Sequence, residues 1–130
     1  MGKLEQKICL DTDVVIAILN GETRAEELIK KIENCEIFIS SITLFELLLR
    51  KTNLDKIEEF KVKTNILDFD EFAARKASLI FKKLKQKGTI IDFRDLYISS
   101  IAIVNNCNLA TFNNKHFERI GEFGLILVRI

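Results

Sequence analysis

Short apolar runs alternate with longer stretches of helical periodicity along the whole chain. Ile8-Cys9-Leu10 stops at Asp11, Ile37-Phe38-Ile39 stops at Ser40-Ser41, and Leu109-Ala110-Thr111 breaks into Phe112-Asn113. Runs this short, apolar at successive positions, read as strands buried on both faces of a parallel sheet. Ile66-Leu67-Asp68-Phe69 reads as a short strand or an extended link, and Leu125 to Val128 as a last strand. Between them the pattern predicts helices over Val14–Leu19, capped by Thr12 or Asp13 and stopped by Asn20-Gly21, and over a segment opened by the capping box Thr23-Arg-Ala-Glu26. Further helices are expected around Leu44–Arg50, from about Leu54 to Lys63, from Glu71 to Lys87 behind the cap Asp70, and from Phe93 onward behind Asp92. A short helical turn is expected near His116 to Ile120. Strands alternating with helices predict a three-layer α/β/α sandwich on a mostly parallel sheet, with functional groups gathered beyond the carboxyl ends of the strands.

The helix after Asp92 stands out. Leu96, Ile98, Ile101, Ala102, Ile103 and Val104 are apolar nearly all round, which predicts a buried helix, yet it opens on Asp92 and Asp95. These acids share a face, with Ser99 one turn beyond on the same side. A carboxylate at the mouth of a buried helix needs a cation, a donor or a metal. Asp11 stands at the end of the first strand and Glu46 in the helix after the second, so the topology brings three acids to one rim. Each has an ordinary alternative. Asp11 could cap the next helix. Glu46 could close a capping box with Thr43, or, if Ser41 is the cap, lie inside the helix. Asp95 suits the first helical turn through the dipole. Together, three like charges persist at close range only with a cation among them. A hard, oxygen-preferring Mg²⁺ or Mn²⁺ fits that donor set.

Composition narrows the field. The chain has 130 residues, 48% hydrophobic and 30% charged, which predicts one folded domain, 1–130. Net charge is +1, so any nucleic-acid surface must be local. Cys9, Cys35 and Cys107 are far apart, giving neither a zinc constellation nor a disulfide framework, and read as reduced, mostly buried thiols. No run reaches a membrane span and the charged N-terminus does not resemble a signal peptide, so a cytoplasmic protein is expected. There is no proline, so turns fall to Asn, Asp and Gly, as at Asn20-Gly21, Asn105-Asn106 and Gly121. Lys82, Lys83, Lys85 and Lys87 read as a solvated helix end, whereas Arg50-Lys51 and Lys115 lie nearer the rim and are better candidates for contact with a phosphate. Phe72, Ile80, Phe81 and Leu84 read as core or dimer surface. His116, the only histidine, reads as a surface or packing residue.

Leu10-Asp11-Thr-Asp13, Ser41-Ile-Thr43-Leu-Phe-Glu46-Leu, Asp95-Leu-Tyr-Ile-Ser-Ser-Ile-Ala and Leu109-Ala-Thr111-Phe-Asn113-Asn-Lys-His116-Phe117, in that order and at these spacings, resemble the PIN-domain ribonucleases, and among them the VapC toxins of VapBC toxin–antitoxin pairs. The resemblance covers essentially the whole chain. It implies a PIN-like fold, Mg²⁺- or Mn²⁺-dependent endonuclease activity on RNA, homodimers, and inhibition by a VapB-like antitoxin that presents an Arg to the acids. Asp11, Glu46 and Asp95 match the family's catalytic, metal-holding positions. Thr111 and Asn113 match auxiliary ones, Asn113 where many members carry a fourth acid. Asp13 departs from the usual Asn, and Ser99-Ser100 from Ala-Ala. Two other readings compete. Asp11-Thr-Asp13-Val-Val resembles the opening of haloacid-dehalogenase-like phosphatases, which would make Asp13→Asn as damaging as Asp11→Asn and leaves Glu46 idle. A PIN-like interaction module without catalysis would have no need of an intact acidic trio.

Overall fold

The computed structural model describes residues 6–130. Strands β1 (Lys7–Leu10), β2 (Glu36–Ser40), β3 (Asn65–Leu67) and β4 (Asn108–Ala110) form a parallel sheet in the order β3-β2-β1-β4, with β1 and β2 central. Its register aligns Leu10 with Ile39 on one side and with Ala110 on the other, so the carboxyl ends of the central strands form one rim. The expected last strand is not a ladder. Leu127 makes one parallel bridge to Leu109, with the Leu109 amide donating to Ile126 and the Val128 amide to the Leu109 carbonyl.

Helices α1 (Thr12–Leu19), α2 (Thr23–Ile32), α3 (Ser41–Leu48), α4 (Leu54–Lys63), α5 (Glu71–Gln86), α6 (Phe93–Val104) and α7 (Asn114–Phe117), followed by a 3-10 turn over Glu118–Phe123, complete the architecture. Alternation along the strands builds two cores. Cys9, Phe38 and Leu109 face one with Ala77, Ile80 and Leu84 of α5, Leu96 and Ile98 of α6, and Phe117. Ile8, Leu10 and Ile39 face the other with Val14, Val15, Leu28, Leu47 and Ile57 of α1 to α4. The sheet is thus covered on both faces, the expected three layers.

The caps refine several expectations. Asp11, not Thr12 or Asp13, caps α1, its side chain accepting from the Thr12 amide. The capping box at Thr23 does not form: Thr23 is the first helical residue, and its predecessor Glu22 makes no side-chain cap bond. Ser40 rather than Ser41 caps α3 by accepting from the Thr43 amide, which leaves Glu46 inside the helix and free for other work. Asp70 and Asp92 cap α5 and α6 as expected. Left-handed backbone at Gly21 (φ 66°) and Asn106 (φ 57°) turns the chain where expected, but Gly124 (φ 104°), not Gly121, does so near the end. Cys9 and Cys107 are buried free thiols, and Cys35 is half-buried. Among the described residues no helix is long and apolar enough to cross a membrane.

Candidate active site on the carboxyl rim of the sheet

The rim brings the three predicted acids to one point, and the group at that point is an arginine. Arg94, the second residue of α6, directs each guanidinium nitrogen at a different carboxylate. Nε donates to Glu46 Oε2 at 2.6 Å, Nη1 to Asp95 Oδ1 at 2.8 Å and Nη2 to Asp11 Oδ1 at 2.8 Å. Asp11 is fully buried and Asp95 nearly so, whereas Glu46 and Arg94 are partly open, with side chains 27% and 31% exposed. An arginine does face the acids, as the family resemblance led us to expect of an antitoxin, but it is the chain's own. Burial works against the Arg94 charge, while hydrogen bonds and the fields of Glu46 and Asp11 more than offset it and hold the guanidinium protonated. At Asp95 burial raises the pKa, and the Arg94 contacts oppose that.

Each carboxylate is oriented by a neighbour on the rigid scaffold. The Asp11 amide donates to Ala110, extending the β1–β4 pairing by one step and placing Asp11 beside Thr111. Thr111 Oγ1 then donates to Asp11 Oδ2 at 2.8 Å and accepts from the Asn113 amide. Thr12 Oγ1 lies 2.6 Å from Glu46 Oε1 and 3.0 Å from Thr43 Oγ1, so the first turn of α1 fixes the acid on α3. Thr111 therefore contacts the trio, whereas Asn113 does not: its side-chain amide donates to Asp13 Oδ2 at 3.2 Å. Asp13 Oδ2 also accepts from the Phe112 amide, and its Oδ1 is buried without a protein partner. The Ser99 hydroxyl is buried without one as well.

Burial pushes the Asp13 carboxyl up to about 6, with the Asp11 charge adding to the rise and the Phe112 amide opposing it. A carboxyl whose folded pKa exceeds its ordinary 3.8 is most stabilising when protonated, so this contribution is lost as pH climbs from about 4 through 6. Because the group is only half-buried, solvent screening cuts the loss to roughly 1 kcal/mol. Asp13→Asn keeps an acceptor for Phe112 and Asn113 and removes the charge. The variant is expected to gain about 1 kcal/mol at pH 7.5 and to flatten the pH 4–6 portion of the stability curve. Urea unfolding in chelator across pH 4–8 measures this, and a variant less stable than the parent at pH 7.5 would contradict it.

Beside Arg94 opens a cleft of about 370 Å³ lined by Ile90, Ile91, Asp92, Arg94, Asp95, Asn113, His116 and Arg119. His116 is exposed, as expected of a surface residue, and its ring stands 3.7 Å from Asp95. Lys51 belongs to a separate depression with Asn53–Lys56. The lysine-rich end of α5 is exposed, and Lys87 pairs with Glu122 at 2.7 Å. Arg94 and Arg119 escaped the sequence reading, and Thr12 enters it only as a helix cap. Only Arg94 left a clear sign: a cation in the first turn of a helix opposes the macrodipole unless carboxylates surround it.

An α/β sandwich with acids from three separate segments meeting at the carboxyl ends of parallel strands places a binding site where open α/β sheets hold their ligands. The PIN domain pattern matches residues 8–123, and the chain belongs to that family. It is 40% identical over 129 residues to ribonuclease VapC1 of Methanocaldococcus jannaschii, covering 96% of this chain and 89% of the relative. It is 34% identical to ribonuclease VapC2 of Rickettsia felis, over 85% of this chain and 90% of that one. Among solved structures it superposes on the Rickettsia felis VapBC2 complex bound to a promoter DNA fragment with a TM-score of 0.80 at 30% identity, covering 95% of this chain and 98% of the other.

Proposed function

We propose that this chain is an endoribonuclease that hydrolyses RNA phosphodiester bonds with the help of a divalent ion, and that it is the toxin of a VapBC-type toxin–antitoxin pair. The observation that carries the reading is the convergence of Asp11, Glu46 and Asp95 on one cation at the rim, in a PIN-family chain closely similar to ribonucleases. The phosphatase reading is disfavoured by Asp13, whose Oδ2 is held by Phe112 and Asn113 and whose Oδ1 is buried away from the cleft's solvent. The intact trio disfavours a non-catalytic module.

The donor set fits Mg²⁺ or Mn²⁺ in chemistry: three carboxylates, hard oxygens only, already balanced by positive charge. Their spacing is that of a guanidinium cage, since among the described residues no three acid, His or Cys side chains lie close enough to share one ion. Asp11, Glu46 and Asp95 would hold the ion once Arg94 yields. A divalent ion there supplies an acidified water and neutralises the charge that develops at phosphorus. The remaining work falls to the protein. Thr111 and Thr12 keep the Asp11 and Glu46 carboxylates aimed inward, as the hydrogen-bond partners of metal ligands do. Asn113 restrains Asp13 and the Thr111 turn, and Arg119 offers a positive group and His116 a hydrogen-bonding ring along the cleft where the RNA backbone would lie. We read residues 1–130 as one such domain, cytoplasmic, homodimeric, and silenced by a VapB-like antitoxin.

Cleavage of mixed RNA, tRNA included, tests this. Cuts are expected with Mn²⁺ or Mg²⁺, should vanish in chelator, return on re-addition, and fall by about 10²-fold or more in Asp95→Asn. The product of an adjacent small gene, added in equimolar amount, should suppress them. Cutting that persists in chelator would refute the metal-dependent reading.

A further inference from the structure

The three-pronged ion pair has a consequence for metal loading. Every carboxylate available to a divalent ion spends an oxygen on Arg94, at 2.6 to 2.8 Å. The fully buried Asp11 has little spare capacity: Oδ1 accepts from both Arg94 and the Thr12 amide, and Oδ2 accepts from Thr111. A guanidinium is planar and wide, and it sets the three acids apart at its own dimensions. A divalent ion needs oxygens at about 2.0–2.1 Å around a single point. The two arrangements put a cation at the meeting point of the same three carboxylates but at different separations, so they exclude one another. Arg94 has somewhere to go. It is tethered in the first turn of α6, at the open mouth of that helix, and it lines the neighbouring cleft whose wall also carries the Asp92 carboxylate.

We propose that Arg94 is a resident counter-ion that competes with the divalent ion for Asp11, Glu46 and Asp95, so that loading the site requires its guanidinium to withdraw into the cleft bounded by Asp92, His116 and Arg119. The inference rests on the metal-dependent reading above. Arg94 is then a positioning residue for the metal-free state: it holds three like charges together in the fold, and it scales apparent metal affinity down to the intrinsic value times the fraction of molecules in which it is withdrawn. A direct contact with RNA is no part of this role.

Calorimetric titration of the metal-free protein with Mn²⁺, alongside Arg94→Gln and Arg94→Lys, provides the test. Removing the competitor should tighten Mn²⁺ binding by about 10-fold or more, a gain of the size typical of coupled equilibria. Arg94→Lys separates plugging from mere charge, because a lysine keeps the positive charge but cannot span three carboxylates. It should also bind Mn²⁺ more tightly than the parent. Both variants should melt at a lower temperature without metal and recover more of it than the parent when metal is added. Should Arg94→Gln fail to fold, the unaltered protein still answers. The Arg94 Nε–H proton resonance, identified by its loss in Arg94→Lys, should be protected in chelator and exchange freely at saturating Mg²⁺. Equal Mn²⁺ affinity in parent and Arg94→Lys, or a protected Nε–H at saturation, overturns the competition while leaving the ribonuclease reading intact. No Mn²⁺ binding by any of the three proteins overturns both.

Discussion

Asp11→Asn should abolish RNA cleavage, lowering the rate by on the order of 10³-fold or more, while leaving the chain folded. The scale follows from what a site of this kind asks of its metal ligands: each tenfold is about 1.4 kcal/mol, and a held divalent ion supplies several kcal/mol of charge stabilisation. Asp11 should be the most damaging of the three positions because it is the most constrained. Its amide continues the sheet through Ala110, and its oxygens serve the Thr12 amide, Arg94 and Thr111. Asparagine keeps one acceptor for Thr12 and Arg94 and turns its amide toward Thr111, whose hydroxyl can rotate to accept. The cap survives, and Asp95 and Glu46 still compensate Arg94, so circular dichroism and the melting transition should stay close to the parent's. Asp13→Asn makes the contrast, since it should retain activity within a few-fold. Cleavage by Asp11→Asn within tenfold of the parent would remove Asp11 from the catalytic trio, and loss of activity in Asp13→Asn as complete as in Asp11→Asn would revive the phosphatase-like chemistry.

Much of this arrangement could be read before any coordinates. Strand ends at Asp11, Ser40 and Thr111 were visible because a strand buried on both faces has no polar position until it emerges, and a parallel sheet gathers those exits on one rim. The caps were less legible. Thr23-Arg-Ala-Glu26 has the letters of a capping box, but Glu22 takes the cap position, and nothing local distinguishes a first helical residue from a cap one position earlier. Glu46 was ambiguous for the same reason until Ser40 took the cap. Thr12 was read only as a cap, because its bond to Glu46 spans 34 positions and arises from how α1 packs on α3. The last strand failed through a shortage of partners: Leu127 meets only Leu109, at the sheet's edge. Arg94, one position before Asp95, carries no pattern beyond its place in the first turn of a helix that marks it as the partner of the acids. Repulsion among three carboxylates calls for a cation but does not say whether it is a metal, an antitoxin side chain or a neighbour in the chain.

Phe117→Ala should produce the largest loss of stability, about 3–5 kcal/mol, because it deletes a large, fully buried ring and leaves a cavity in close-packed surroundings. Phe117 closes the core on the face of the sheet covered by α5 and α6, and it ends the short helix α7. Its ring is the apolar anchor of the segment that begins at Thr111 and carries Asn113 and His116 past the acids. Urea unfolding should show a lower midpoint at nearly the same slope, since the surface exposed on unfolding changes little. A loss under 1 kcal/mol would mean that the segment is held by something other than this ring. The functional consequence should be the reverse of that at Asp11. The acids stand at the β1–α1 junction and on α3 and α6, none of which Phe117 belongs to, so well below the melting temperature Mn²⁺ affinity should match the parent's. The cleft wall formed by Asn113 and His116 should loosen, raising KM for RNA more than it lowers kcat. One substitution thus removes chemistry and spares the fold, and the other weakens the fold and spares the metal site. That separation is expected only if the trio is built on the sheet and the helices flanking it, and the cleft on the segment that follows β4.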